Sequence, residues 1–149
     1  MPSVPTVALV ACVKSKGPIR APARLLYTSP LFRASAAYAE RAADGWFILS
    51  ARHGLLHPDQ FVDPYEQTLH RMSGPERSAW SAGMLEALTQ AMTAPTHVVV
   101  LAGTIYREGL TAPLSRAGFS VSVPMERLRL GEQLRWLRER NARHSSRRP

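Results

Sequence analysis

The stretch Val7-Ala8-Leu9-Val10-Ala11-Cys12-Val13 is apolar and rich in β-branched side chains. A short run of this kind is typical of a strand that is covered on both faces of a sheet. It is followed by Lys14, Ser15 and Lys16, which include both lysines of a chain whose other cationic side chains are arginines. A lysine amine, unlike arginine, can lose its proton when it is desolvated and can then act as a base or nucleophile. The stretch predicts a strand that brings an amine to the sheet edge where ligands bind, unless the two lysines fall together by chance in an arginine-biased composition.

Strands and helices alternate along the rest of the chain. Apolar runs predict three further strands, at residues 46–50, 96–102 and 119–123. Ser29-Pro30 and the capping-box pair Ser73 and Glu76 predict two helix starts. A third helix is predicted at residues 105–116, bent or ended by Pro113, and a last one at residues 131–140. This order predicts an α/β fold with three layers, in which a roughly four-stranded parallel sheet carries helices on both faces.

Length and composition limit the kind of protein. The chain has 149 residues, 45% of them hydrophobic, which predicts a single domain at residues 1–140 and a basic, flexible tail at residues 141–149. One cysteine excludes an internal disulfide and suits the cytoplasm. No apolar run approaches the ~20 residues of a membrane span, and no Walker-type or dinucleotide-binding glycine motif is present. We therefore expect no membrane partner, no metal and no cofactor, and the sequence leaves the oligomeric state open.

The charge of the chain favours polyanionic partners. The net charge is +8 and the isoelectric point is about 10.8, which indicates nucleic acid or a nucleotide. The alternative is a basic protein that its charge merely keeps soluble. Arginines near the C-terminus are the candidates for contacts with a nucleic-acid backbone, although a solvated helix face would look the same. They are Arg135, Arg138, Arg143 and Arg147.

Polar residues follow each predicted strand, and in a parallel sheet these ends share one edge. We therefore expect a pocket there. The candidate catalytic residues are Lys14, Lys16, His53 and Asp63. The candidate substrate-binding residues are Cys12, Ser15, Tyr27, Ser29, Arg33, Ser50, Gly54, Asp59, Tyr65, Glu66, Gly103, Thr104 and Tyr106.

The loop after the second predicted strand offers acid–base chemistry. His53 can titrate near neutral pH, and Gly54 allows a sharp turn or a close approach to a ligand. Asp63 and Glu66 flank Tyr65, and such a set can stack a base on the ring and accept hydrogen bonds from its edge. The alternative is that Asp63-Pro64 simply initiates a turn.

Part of this loop resembles a known family. Residues 49–59, continued by Asp63-Pro64-Tyr65-Glu66, are similar to the Leu-Ser-x-x-Tyr-Gly-x-Leu segment and following Pro-Tyr of the YaaA-type peroxide-stress proteins. His53 stands where that family usually has tyrosine. Residues 101–106 resemble the Leu-Ala-Ser-x-x-Tyr segment of the same family. This resemblance implies a role in nucleic-acid binding under oxidative stress.

Other motifs resemble a small, unassigned bacterial domain family that shares Cys-x-x-Ser-Lys, Tyr-x-Ser-Pro-Leu-Phe and Ser-Ala-x-x-Gly-Leu-Leu. They lie here at residues 12–16, 27–32 and 50–56. The first and last also look like the C-terminal module of archaeosine-type tRNA transglycosylases, which resembles uracil-DNA glycosylases. The resemblance covers residues 7–137 and implies a uracil-DNA-glycosylase-like fold. Asp63-Pro64-Tyr65 matches the water-activating motif of those enzymes in letters, but it follows the second strand rather than the first.

Two functions are compatible with these patterns. The first is an enzyme that acts on a nucleobase or its N-glycosidic bond, as a hydrolase or transferase, with Lys14 or Lys16 as amine and His53 or Asp63 as acid or base. The second is a non-catalytic DNA- or RNA-binding protein of the YaaA-like kind. A third, weaker interpretation is a nucleotide-binding module whose catalytic partner is another chain.

Overall fold

The computed structural model describes residues 4–12 and 16–146. The strands are β1 (Thr6–Ala11), β2 (Ala21–Pro22), β3 (Gly45–Ser50), β4 (Gly54–Leu56), β5 (Phe61–Val62), β6 (His97–Leu101) and β7 (Ser120–Ser122). The α-helices are α1 (Ala23–Leu26), α2 (Pro30–Ala42), α3 (Gly74–Ala91), α4 (Thr104–Arg107), α5 (Thr111–Arg116) and α6 (Leu130–Ser146). A 3₁₀ turn covers Leu69–Arg71.

The main sheet has five strands in the order β4-β3-β1-β6-β7. Strand β1 is parallel to β3 on one side and to β6 on the other, and β7 continues the parallel set. Strand β4 turns back antiparallel to β3. The prediction of an α/β fold with a mostly parallel sheet is therefore confirmed.

The direction of each crossover places the helices on the two faces of this sheet. The chain moves from β1 to β3 through α2 and then returns past β1 to β6 through α3. Because parallel crossovers are right-handed, the reversal of direction puts α2 and α3 on opposite faces. Helix α6 packs against α2 and completes one layer. The sheet is thus covered on both sides, which explains why Leu9, Ile48 and Val98 are fully buried.

Local sequence signals fix the starts of the two long crossover helices. The Ser29 hydroxyl accepts a hydrogen bond from the Phe32 amide at 3.1 Å, and Pro30 occupies the first turn of α2. At α3, the Ser73 hydroxyl accepts from the Glu76 amide, and the Glu76 carboxylate accepts from the Ser73 amide. Both satisfy amide groups that a helix start would otherwise leave without partners. These two predictions are confirmed.

The structure corrects four details. The sheet has a fifth strand, β4, because the turn at Gly54 reverses the chain directly after β3, and a separate two-stranded ribbon joins β2 to β5. The helix predicted at residues 105–116 is two short helices, broken before Pro113. Pro113 lies in the first turn of α5, where its missing N–H costs little. The last helix continues past Arg140 to Ser146, where Arg41 and Ala34 of α2 hold Asn141 by hydrogen bonds.

Within the described part of the chain, no helix is long and apolar enough to cross a membrane.

Two glycine substitutions test the backbone description with opposite signs. Gly54 has a φ of 71°, a left-handed value that a Cβ disfavours, so Gly54→Ala should lower the free energy of unfolding by about 1–2 kcal/mol. Gly83 lies inside α3 with nothing within 4 Å of an added Cβ, so Gly83→Ala should raise it by about 0.5–1 kcal/mol. Urea denaturation measures both, and equal effects would contradict the assigned turn.

Candidate functional site

A cavity lies where the strand order reverses, between the carboxyl ends of β1 and β6. Ligands of open α/β sheets bind in this crevice, because the chain leaves neighbouring strands in opposite directions there. The cavity has a volume of about 170 Å³. Its walls combine the strand ends, α2, α4 and the start of α6. Its apolar lining includes Leu31, Phe32, Val100, Val123 and Met125.

Six side chains with polar atoms line this cavity: Cys12, Ser35, His70, Tyr106, Arg107 and Gln133. The Cys12 sulfur lies 3.4 Å from the Tyr106 hydroxyl. Arg107 donates from Nη1 to the Ala102 carbonyl at 2.8 Å, which fixes its guanidinium at the wall. Gln133 donates from Nε2 to the Leu128 carbonyl at 2.9 Å and so keeps its amide oxygen for another partner. The cavity therefore presents a thiol–phenol pair, a guanidinium, an amide, a hydroxyl and an imidazole beside its apolar side chains.

Beside the cavity, three buried hydroxyl groups form a network. Ser50 Oγ accepts from the His53 amide at 3.0 Å and donates to Tyr65 Oη at 2.8 Å. Tyr65 Oη lies 2.5 Å from Tyr27 Oη. The Trp80 indole donates to the Ser50 carbonyl at 3.0 Å and holds the end of β3 in place. All three hydroxyl-bearing residues are at least nine-tenths buried.

The hydrogens of this network do not balance. In their neutral forms Ser50, Tyr65 and Tyr27 carry three hydroxyl hydrogens, but only two contacts join their oxygens. One hydroxyl therefore lacks an acceptor among residues 4–12 and 16–146. A buried donor without an acceptor costs about 1–3 kcal/mol, so the network is suited to donate to an oxygen of a ligand.

Two titratable side chains contact the Tyr65 ring from different directions. Lys16 Nζ lies 4.3 Å from the ring centroid, in a cation–π contact, and 5.8 Å from the centroid of Tyr27. The His53 ring meets Tyr65 edge-on, with 5.1 Å between ring centroids. Tyr65 thus separates an amine from an imidazole at the edge of the sheet.

Burial dominates the electrostatics of this group. It lowers the pKa of Lys16 below the usual 10.5, and attraction to Cys12 and Glu66 offsets part of that change. It also raises the pKa of Tyr27 to about 12 and the pKa of Tyr65 and Tyr106 well above the ordinary phenol value. The phenols therefore remain neutral donors, whereas the Lys16 amine loses its proton more readily than an exposed lysine does.

The Cys12 side chain connects the cavity to the hydroxyl network. Interaction with Cys12 contributes to the pKa shifts of Lys16, Tyr27, Tyr65 and Tyr106, so all four lie within electrostatic reach of one sulfur. Residues from the ends of β1, β3 and β6 thus share one environment.

The structure brings many of the predicted site residues together. The cavity contains Cys12, Gly103 and Tyr106, and the network contains Tyr27, Ser50 and Tyr65. Lys16 and His53 contact the Tyr65 ring. Gly54 forms the turn beside them. Asp63 and Glu66 are exposed nearby, and their charges act on the pKa of His53 and Lys16 respectively.

Other predicted residues have different positions. Ser29 caps α2, Arg33 is exposed on its first turn, and Thr104 is exposed at the start of α4. Asp59 forms an exposed ion pair with Arg24 at 2.9 Å. Arg135, Arg138 and Arg143 are exposed on α6, where Arg135 lies 3.5 Å from Glu139. Lys14, Ser15 and Arg147 lie outside the described residues.

Sequence reasoning missed several cavity residues. Ser35 and Gln133 occupy ordinary helix positions, and only the packing of α2 and α6 over the switch point turns them inward. Arg107 follows the third predicted strand, but nothing in the sequence distinguishes it from the other arginines. In residues 4–12 and 16–146, no group of three or more His, Cys, Asp or Glu side chains is placed to hold a metal ion.

Comparison with known proteins places the chain in a family. A family model described as "Family of unknown function (DUF6884)" matches residues 7–139. The chain is also similar to the uncharacterized protein YfjM of Bacillus subtilis (strain 168), with 30% identity over 114 residues. That alignment covers 71% of this chain and 75% of the relative.

Titration of His53 tests the charges at the edge of the site. Burial and the neighbouring Arg52 lower its pKa below 6.5, whereas Asp63 raises it. Arg52→Gln should therefore raise this pKa and Asp63→Asn should lower it further, as measured by NMR of the imidazole protons. The same direction of change for both variants would contradict the arrangement.

The lowered pKa of His53 makes the stability of the protein depend on pH. A depressed folded-state pKa favours the neutral imidazole, so the contribution of His53 to stability is complete above pH 6.5 and falls as the pH decreases through the folded-state pKa.

Proposed function

Since the chain belongs to DUF6884, a family of unknown function, we propose its function from its site: an enzyme that acts on a nucleobase or its N-glycosidic bond at the carboxyl edge of the sheet. The observation that carries this proposal is the position of a partly desolvated amine, Lys16, beside buried phenol donors and a ring-sized cavity at the switch point. The net charge of +8 favours a phosphorylated substrate over a neutral one.

The cavity supplies the place for the base. A volume of about 170 Å³ is below the ~300–1,000 Å³ of pockets for drug-sized ligands, so one flat group rather than a whole nucleotide enters it. The sugar and phosphate then lie outside, toward Lys16 and the exposed His53. In this proposal the glycosidic bond lies between the cavity and the Lys16 amine.

The Lys16 amine and the Cys12–Tyr106 pair have different roles in the proposed reaction. During hydrolysis the bond between the sugar carbon and the base nitrogen breaks, the hydroxide of water adds to the sugar carbon, and the base leaves as an anion that takes a proton from solvent. The unprotonated Lys16 amine accepts the proton of the attacking water, and its lowered pKa increases the fraction in that form. The Cys12–Tyr106 pair donates a hydrogen bond toward the departing base, whose negative charge grows as the bond breaks.

We also propose that the fold resembles that of uracil-DNA glycosylases, which is supported by the parallel set β3-β1-β6-β7 with helices on both faces.

A second candidate function is sequence-independent binding of DNA or RNA without turnover. The exposed arginines Arg135, Arg138 and Arg143 on α6 support that alternative, since such side chains contact phosphates without reading bases.

Substitution of Lys16 tests the enzymatic role. With base-modified nucleosides, nucleotides and oligonucleotides as substrates, Lys16→Ala should reduce release of the free base by about 100-fold or more, because the general base is lost. The rate of the wild type should rise with pH toward the Lys16 pKa, which lies below 10.5. Chromatography of the released base measures both.

The matched control is Arg20→Ala, which removes an exposed cation four residues away, above the Phe61 ring. Its turnover should match the wild type. Undiminished turnover of Lys16→Ala would remove the role assigned to the amine. Binding of oligonucleotides with no turnover of any substrate would favour the second candidate function.

A further inference from the structure

We propose that the β2–β5 ribbon is a self-association surface, on which a second copy of this chain packs to form a two-fold symmetric dimer. The ribbon patch consists of Ile19, Leu25 and Phe61, whose side chains are 74%, 59% and 59% exposed. None of these three residues lines the switch-point cavity, so the dimer is independent of the proposed reaction.

Exposed apolar side chains are concentrated at this ribbon. Among residues 4–12 and 16–146, five large apolar side chains are exposed, and three of them form the ribbon patch. Phe61 lies opposite Pro22 in the ribbon. Ile19 and Leu25 are each three residues from Pro22 along the chain, and three residues span at most about 11 Å. The three side chains therefore belong to one small area of the surface, and such a cluster indicates an interaction site.

The ribbon presents an apolar face to solvent because its other face is fixed to the core. Phe61 and Val62 are neighbours on β5, so their side chains point to opposite faces. Val62 is buried, and so is Leu26 at the end of α1. The Ala23 amide donates to the Gln60 carbonyl at 2.8 Å and extends the pairing beyond the two strands. The exposure of Phe61 is thus imposed by the folded chain.

The charge of the ribbon favours a second copy over a nucleic acid or a membrane. Residues 16–27 carry three cationic side chains and residues 57–66 carry three anionic ones, so together the two segments are neutral when His57 is uncharged. Nucleic acids and anionic lipid surfaces are attracted to an excess of cations, which this surface lacks. The six charged residues are Lys16, Arg20, Arg24, Asp59, Asp63 and Glu66.

A neutral surface is also the place where two copies of this chain repel each other least. The whole chain has a net charge of +8, so contact through a cationic face, such as the exposed arginines of α6, brings like charges together. In a two-fold contact the same patch is buried on both copies. Six apolar side chains, three from each copy, then leave water, which fits a weak and reversible dimer rather than an obligate one.

Sedimentation equilibrium of the full chain measures this association. The weight-average mass of the wild type should rise with protein concentration, from the mass of one chain toward that of two. High salt should preserve the dimer, because it screens the repulsion between the two chains, whereas association bridged by bound nucleic acid falls steeply with salt. A mass of one chain at every concentration, or loss of association at high salt, would overturn the proposal.

A matched pair of leucine substitutions locates the contact. Leu25→Asp puts a carboxylate in the ribbon patch and should raise the Kd of the dimer about 10-fold or more, because burial of an unpaired charge is strongly unfavourable. Leu130→Asp makes the same change at a 67% exposed position at the start of α6 and should leave the Kd unchanged. Phe61→Ser is a second patch variant and should also weaken the dimer. At concentrations where the wild type is monomeric, the Tm should change little in all three variants, because these side chains are exposed.

Other occupants of the patch would give different results. A single-stranded nucleic acid on the patch predicts that Phe61→Ser weakens oligonucleotide binding while the wild type sediments as one chain. A membrane predicts that the wild type, but not Leu25→Asp, co-sediments with vesicles of phosphatidylglycerol and phosphatidylcholine. Either result, or the same Kd for Leu25→Asp and Leu130→Asp, would contradict self-association through the ribbon. These measurements involve no turnover, so their outcome is separable from failure of the proposed function.

Discussion

The parallel pairing of β1 with both β3 and β6 is the constraint on which the rest of the structure depends. A strand with partners on both sides has no free edge. Because helices also cover both faces of the sheet, the side chains of Leu9 and Val10 are buried. The chain must leave β1 in one direction and return past it in the other, which opens a crevice at its carboxyl end. The residue at that point is Cys12, whose amide donates to the Leu49 carbonyl of β3 at 3.0 Å.

Chemistry at this edge follows from burial rather than from any single motif. The same exclusion of water lowers the pKa of Lys16, raises that of the phenols and leaves one hydroxyl hydrogen of the Ser50–Tyr65–Tyr27 network without a described acceptor. These effects are complementary. The amine loses its proton more readily while its neighbours remain neutral hydrogen-bond donors, which is the combination that the proposed function requires.

Parts of this architecture could be predicted because their signals are local. The caps at Ser29 and Ser73 and the apolar runs of the four parallel strands each depend on residues close in sequence. The short strand β4 could not be predicted, since three residues carry no periodicity and its partner is chosen by the turn at Gly54. The sequence predicts that Pro113 bends or ends the helix at residues 105–116, but the break lies before Pro113, between α4 and α5. Proline signals a helix start as readily as a helix end, and Pro113 lies in the first turn of α5.

The residues of the candidate site likewise differ in how far the sequence could predict their positions. Cys12, Lys16 and His53 follow strands directly, so the rule that parallel strands end at one edge brings them together. Tyr27 joins them through an isolated bridge with Lys16, a long-range pairing that its sequence position alone does not predict. Ser35 and Gln133 come from helices, and their direction toward the cavity depends on how α2 and α6 pack across the sheet. Asp59 has a carboxylate of the kind found in binding sites, but it forms a surface ion pair with Arg24.

Alkylation of Cys12 tests most directly whether the switch-point cavity is the ligand site. It is the only cysteine of the chain, it lines the cavity and it is 6% exposed, so its reaction with iodoacetamide reports on that space alone. The account predicts that a saturating nucleotide substrate slows this reaction in the folded protein and leaves the faster reaction of the urea-unfolded chain unchanged. An alkylation rate that is the same with and without the nucleotide would contradict it.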